Sequence, residues 1–201
     1  RNQVECLRLG GGYVEGWTAR DLVQYVRRHD PHHLIQICRD HGGPWQSAIE
    51  VKDKMDEKHA LKSALGSLRE DIDAGFDLVH LDTGFSPKTR PSPMTAMNRL
   101  LFLYERLYHY AIHRGRRVAF EVGTEEQSPE IVTVHEFETL LSEMRSRLLK
   151  KRLPMPRFVV AQTGTKVVGL KNVGTLHLSS HESPLWNHLK ALARCAQEFG
   201  V

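Results

Sequence analysis

The sequence predicts an α/β fold of parallel strands joined by helices, and three observations carry that prediction. Short apolar runs recur about every 40 residues. A long stretch of helical periodicity separates each run from the next. Each run also ends in polar or glycine-bearing residues. Strands that alternate with helices pair in parallel through right-handed crossovers, and a doubly wound sheet or a (β/α) barrel satisfies this equally. In both, the carboxyl ends of the strands form the site.

The runs that read as buried strands are 33–38 (HLIQIC), 76–81 (FDLVHL), 117–122 (RVAFEV) and 157–161 (RFVVA). The first helical stretch, 18–28, places Leu22, Val23 and Val26 on one face behind Thr18, a residue suited to an N-cap. In 59–74, Leu61, Leu65, Leu68 and Ile72 follow at helical spacing, and Gly75 supplies the left-handed residue that ends the helix. The remaining helices are expected over 95–113, 134–149 and 185–199.

With 201 residues, 40% hydrophobic and 26% charged, the composition is that of one globular domain over 1–201. No run approaches the roughly 20 apolar residues of a membrane span, and the first residues hold no signal-peptide core, so a cytoplasmic location is expected. Cys6, Cys38 and Cys195 are too few and scattered for a disulfide scaffold and form no CxxC pair. The formal charge of +4 suits small anionic substrates. Its basic residues lie in separate clusters without interleaved aromatics, which argues against nucleic acid.

Four segments at strand ends carry the chemistry. CRDHGGPWQ (38–46) places Asp40 and His41 before a Gly-Gly-Pro turn. Imidazole is a common ligand of divalent metals, and a neighbouring carboxylate can orient it or act as a base. HLDTGF (80–85) puts His80 and Asp82 on one face of a strand, where Asp82 either supports a ligand or holds a substrate hydroxyl, or else caps a helix or orders the loop that follows. FEVGTEEQ (120–127) places Glu121 inside a buried strand, a costly position for a carboxylate unless it is paired or bound to a metal. AQTGTKVVGLKN (161–172) offers Gln162, Thr163, Thr165 and Lys166 around a glycine, groups suited to an anionic oxygen although the Walker spacing is absent. His177, His181 and His188 make a looser set whose helical spacing Pro184 interrupts.

Taken together, NQVECLRLGGGYVEGWTARDLVQYV, RDHGGPWQ, HLDTGF, FEVGTEEQ and FVVAQTGTKVVGLKNVG resemble, in order and spacing, the class II tagatose-bisphosphate aldolase accessory (non-catalytic) subunit family, which is related to metal-dependent uronate and ketose epimerases. The resemblance implies a TIM-type (β/α) barrel that is incomplete in this chain, with about five βα units and the first and last strands missing. It places Asn2 and Gln3 after the first strand, Asp40 and His41 at the end of the second, Asp82 of the third, Glu121 of the fourth and Gln162 of the fifth. The Asp40-His41-Gly42 string is also similar to that of class II sugar-phosphate aldolases, where the Asp assists proton transfer and the His binds zinc.

The function so implied is a metal-assisted carbohydrate enzyme, an aldolase-like lyase or a ketose or uronate epimerase working through an enediolate. The alternative is a non-catalytic subunit that stabilises a class II tagatose-bisphosphate aldolase. In the enzyme reading Asp40, Asp82 and Glu121 are catalytic, His41 and Glu121 hold a divalent metal, zinc by resemblance, and Asn2, Gln3, Gln162, Thr163, Thr165 and Lys166 bind substrate. The expected partners are a sugar or sugar-phosphate, and an aldolase catalytic subunit or further copies of the chain.

Overall fold

The structure, a computed structural model, describes residues 16–89, 91–123, 132–162, 165–168, 171–174 and 184–201. The chain divides into two compact units, Arg1–Thr124 and Glu125–Val201.

In the first unit, α1 (Ala19–His29) opens with a capping box in which Thr18 and Asp21 satisfy each other's backbone N–H groups. β1 (Cys38–Gly42) follows, then a short α2 (Ala48–Lys52) behind Ser47, and α3 (Glu57–Ala74) behind Asp56. Gly75 ends α3 at φ +103° in the left-handed region, as its position predicted. β2 (Leu78–Asp82), α4 (Pro93–His113) and β3 (Ala119–Gly123) complete the unit. α4 starts two residues before its expected boundary, because Ser92 caps it and Pro93 occupies the first turn, where a missing N–H costs nothing.

The three strands are parallel in the order β1-β2-β3, with His80 beside Glu121 and Asp82 beside Gly123. Side chains alternate across the sheet. Val79, Leu81, Phe120 and Val122 are buried together with Leu68, Ile72, Leu100, Leu103 and Leu107 of α3 and α4. The Tyr104 ring lies 4.9 Å from that of Phe120. Arg39 joins this buried layer, where its Nη1 donates to Asp71 Oδ2 at 2.9 Å and its Nη2 to Ser67 at 3.3 Å. His80, Asp82 and Glu121 belong to the opposite parity, so the helices take one face of the strands and the polar groups take the other.

The second unit holds α5 (Val134–Lys150), β4 (Phe158–Val160), β5 (Thr165–Val168), β6 (Lys171–Gly174) and α6 (Pro184–Phe199). α5 carries a second capping box, Thr133 with Glu136, and buries Phe137, Leu141, Met144 and Leu148. Leu192 and Cys195 are the buried residues of α6, which packs on α5.

The α/β class holds, but the expected TIM-type barrel of about five βα units is overturned. Among the described residues the sheet of the first unit is open, with β1 as an edge. Four strands of the helix-alternating kind are present among the described residues, β1 to β3 in the first unit and β4 in the second. The segment after β4 does not feed a helix directly. It folds back as an antiparallel hairpin, with Thr165 opposite Gly174 and Val168 opposite Lys171. Alternating strands and helices specify parallel pairing between neighbours. Closure depends on bonds between the first and last strands, which no local pattern encodes.

The strand expected over 33–38 also moves. Residues 33–37 are not strand, and Leu34 and Ile35 are exposed. The Asp30 carboxylate accepts from the backbone N–H groups of both and so ties them to the end of α1. β1 begins only at Cys38, which puts Asp40 and His41 within the strand rather than beyond it.

Candidate functional site

Asp40, His41 and His80 offer ligand atoms that lie within 4.8 Å of one another, the one such group of three among the described residues. β1 and β2 bring them together through an irregularity. Arg39 pairs with Val79, but Gly42 pairs with Leu81, so β1 holds one extra residue. A bulge of this kind re-aims side chains and is common beside functional sites. His41 sits in it at φ +52°, a conformation uncommon for residues with a Cβ although histidine adopts it more readily than most. The two consecutive side chains thereby reach one cluster, which a regular strand would forbid.

The two glycines that follow make the bulge possible. A Cβ on Gly43 would lie 1.7 Å from Asp82 O, and one on Gly42 would lie 2.5 Å from Leu68 Cδ2 and 2.9 Å from His80 O. The Gly-Gly pair therefore serves the close approach of β1 to the β2 backbone.

Asp82 orients His41. Its Oδ2 accepts from His41 Nδ1 at 2.8 Å and from Gln46 Nε2 at 3.0 Å, and its Oδ1 accepts from the Gly84 N–H at 3.1 Å. A carboxylate can only accept, so His41 donates to Asp82 through Nδ1. Nε2 is 3.5 Å from Asp40 Oδ1. This is the arrangement by which a carboxylate fixes the tautomer of a metal-binding histidine.

His80 is 2% exposed. Its Nδ1 lies 3.5 Å from Asp40 Oδ1, 3.7 Å from Glu121 Oε2 and 3.5 Å from the His41 backbone N. Its Nε2 is buried with no hydrogen-bond partner among the described residues. Asp40, His80 and Glu121 thus form a row across three strands. The hydrogen bond from His80 holds the Asp40 carboxyl below its usual value; desolvation opposes this, and His41 adds to the lowering. Next along β1, desolvation and the Glu121 and Asp40 carboxylates push the Cys38 thiol up to about 11, which keeps it a thiol rather than a nucleophilic thiolate.

The structure therefore brings together Asp40, His41, Asp82 and Glu121 of the sequence-derived set. Gln162 follows β4 in the second unit, where its carbonyl accepts from Val132 N. Thr165 and Lys166 lie on β5. Asn2, Gln3 and Thr163 lie outside the described residues, as do His177 and His181, while His188 on α6 bonds the Val132 carbonyl at 2.8 Å. Sequence reasoning undervalued His80, although its parity with Asp82 was visible. It missed Gln46, whose contact with Asp82 spans 36 residues and leaves no local signal.

The chain is similar in fold to a crystal structure described as a probable tagatose 6 phosphate kinase from Sinorhizobium meliloti 1021, with a TM-score of 0.69 and 19% identity. That likeness covers 99% of this chain and 48% of the other, so the chain spans about half its length. Identity at this level speaks for the fold alone. No protein-family model and no curated protein matches the sequence. No helix among the described residues is long and apolar enough to cross a membrane.

Proposed function

We propose that Asp40, His41 and His80 hold a divalent cation, with Glu121 beside it, and that the site performs metal-assisted proton transfer on a ketose or a related sugar phosphate. The observation that carries the reading is the oriented His41, whose Nδ1 is committed to Asp82 and whose Nε2 faces Asp40. Two imidazoles and a carboxylate make a donor set suited to zinc or to a neighbouring first-row metal. A bound cation of this kind would polarise a sugar carbonyl and ease loss of the adjacent proton.

The protein groups supply the rest. Asp40 is ionised at neutral pH and gives the site its anionic ligand. Glu121, next in the row, is the group placed to accept a proton at Oε2 and return it, as an enediolate-forming reaction requires. Asp82 holds His41 in place. The sugar assignment draws on the resemblance of the sequence strings and on the description of the similar crystal structure. Aldol cleavage and epimerisation share this proton-transfer chemistry.

Zinc- or manganese-loaded protein in D2O should exchange a carbon-bound proton of a ketose phosphate for deuterium, seen by NMR. Glu121→Gln should abolish that exchange while metal binding persists. Absence of exchange from a panel of ketose phosphates and uronates would overturn the enzymatic reading. Leu34 and Ile35, exposed just before β1 in the chain, and the edge position of β1 among the described residues favour a second reading, a stabilising subunit of a catalytic aldolase. Co-purification with an aldolase chain, without exchange, is the outcome that selects it.

A further inference from the structure

The geometry points to Gln46 as a positioning residue that, braced by Trp45, locks Asp82 in the orientation that sets the tautomer of His41. The inference deepens the metal-site reading and rests on it for its consequence, although its first test needs no metal.

Trp45 is the second non-glycine residue of this segment in the left-handed region, at φ +59°. A bulky side chain there is an outlier that its environment must enforce. The enforcement is visible. The indole is 6% exposed and its Nε1 donates to the Met55 carbonyl at 2.8 Å. The guanidinium of Arg99 lies over the ring at 5.0 Å. Arg99 is itself fixed by an ion pair with Glu57 and by the Phe85 carbonyl at 3.3 Å.

These contacts hold the chain so that the next residue, Gln46, aims its amide back at Asp82 Oδ2, the same oxygen that His41 uses. Gly84 N holds the other oxygen. With both donors in place the carboxylate plane is fixed with Oδ2 toward His41 Nδ1, which favours the Nδ1–H tautomer over the Nε2–H form that Asp40 would draw. Without the Gln46 donor the carboxylate keeps its charge but gains freedom to turn about its last bond. The Nδ1–H and Nε2–H forms of His41 then compete.

The test is the nitrogen spectrum of the His41 ring in its neutral form, with the metal-free full chain labelled with 15N. Wild type should show a single Nδ1–H tautomer. Gln46→Met, of similar shape but without the donor, should show a mixture, with backbone signals of β1 to β3 preserved. Zinc titration should then show affinity reduced about 10- to 100-fold, the range for loss of such outer partners. Gln46→Leu, which also lacks the donor and adds no charge, provides the second variant should Gln46→Met fold poorly, and should behave alike. A folded variant that retains the single Nδ1–H tautomer overturns the inference. A wild-type chain that binds no zinc overturns the metal reading instead, and the tautomer result still decides the role of Gln46.

Discussion

Replacing Gly43 with alanine probes the contact on which the site is built. The new Cβ would lie 1.7 Å from Asp82 O and 2.9 Å from the Asp82 carbonyl carbon, while real Cβ contacts essentially never fall below 3.0 Å. The obstacle is backbone, so no rotamer change relieves it, and the ends of β1 and β2 must part by about 1.3 Å. That displacement carries the His41–Asp82 hydrogen bond from 2.8 Å to about 4 Å, beyond bonding range. Overpacking costs about 1–3 kcal/mol, and a collision between two backbones belongs at the upper end. With an m value of about 2 kcal/mol/M, a loss of about 3 kcal/mol lowers the urea midpoint by about 1.5 M. Tryptophan fluorescence during urea unfolding measures it. Gly42→Ala is the comparison. The nearest obstacle there is the flexible end of Leu68 at 2.5 Å, with His80 O at 2.9 Å, so a smaller loss of about 1–2 kcal/mol is expected. A Gly43→Ala midpoint within about 0.3 M of wild type, or a loss smaller than that of Gly42→Ala, would refute the packing argument.

Asp82→Asn should leave the chain folded but mix the His41 tautomers and weaken zinc binding about 10- to 100-fold, measured by competition with a chelating dye. Arg39→Met should cost about 3–5 kcal/mol because it strands the buried Asp71 carboxylate, whereas the double variant Arg39→Met/Asp71→Leu should recover much of that loss in urea unfolding. Burial pushes the Asp71 carboxyl up to about 6, so the folded chain retains a proton that the unfolded chain releases near 3.8. This group's contribution to stability is therefore complete below 3.8 and lost as pH rises through 6. Comparing wild type with Asp71→Asn across that window should show the wild type losing stability relative to the variant as pH rises. Thr133→Ala removes the capping box of α5 and should cost about 1 kcal/mol in thermal unfolding.

The helices were legible because their signals are local. Leu61, Leu65, Leu68 and Ile72 at helical spacing, with Gly75 behind them, marked one face and one end; the end holds, and of the face the last three are buried while Leu61 is half-buried. Thr18 and its capping partner Asp21 likewise lie three residues apart. The strand over 33–38 misled because an apolar run looks alike whether or not it pairs, and Asp30 takes the N–H groups of Leu34 and Ile35 in this one. Of the site, the strings around Asp40, Asp82 and Glu121 were informative because a carboxylate in or beside a buried strand needs a reason to be there. The bulge at His41 was not legible, since it depends on the register between β1 and β2. The barrel expectation failed for a related reason. It came from resemblance, and closure is a property of the whole strand set rather than of any segment.

The central claim is that Asp40, His41 and His80 form one cation site. Its most direct test is the zinc or manganese content of the purified chain after metal loading and gel filtration, compared with His80→Gln and His41→Gln. The account predicts close to one equivalent in wild type and little in either variant, with the fold retained by circular dichroism. Wild type without metal, or a folded His80→Gln variant that keeps a full equivalent, would contradict it.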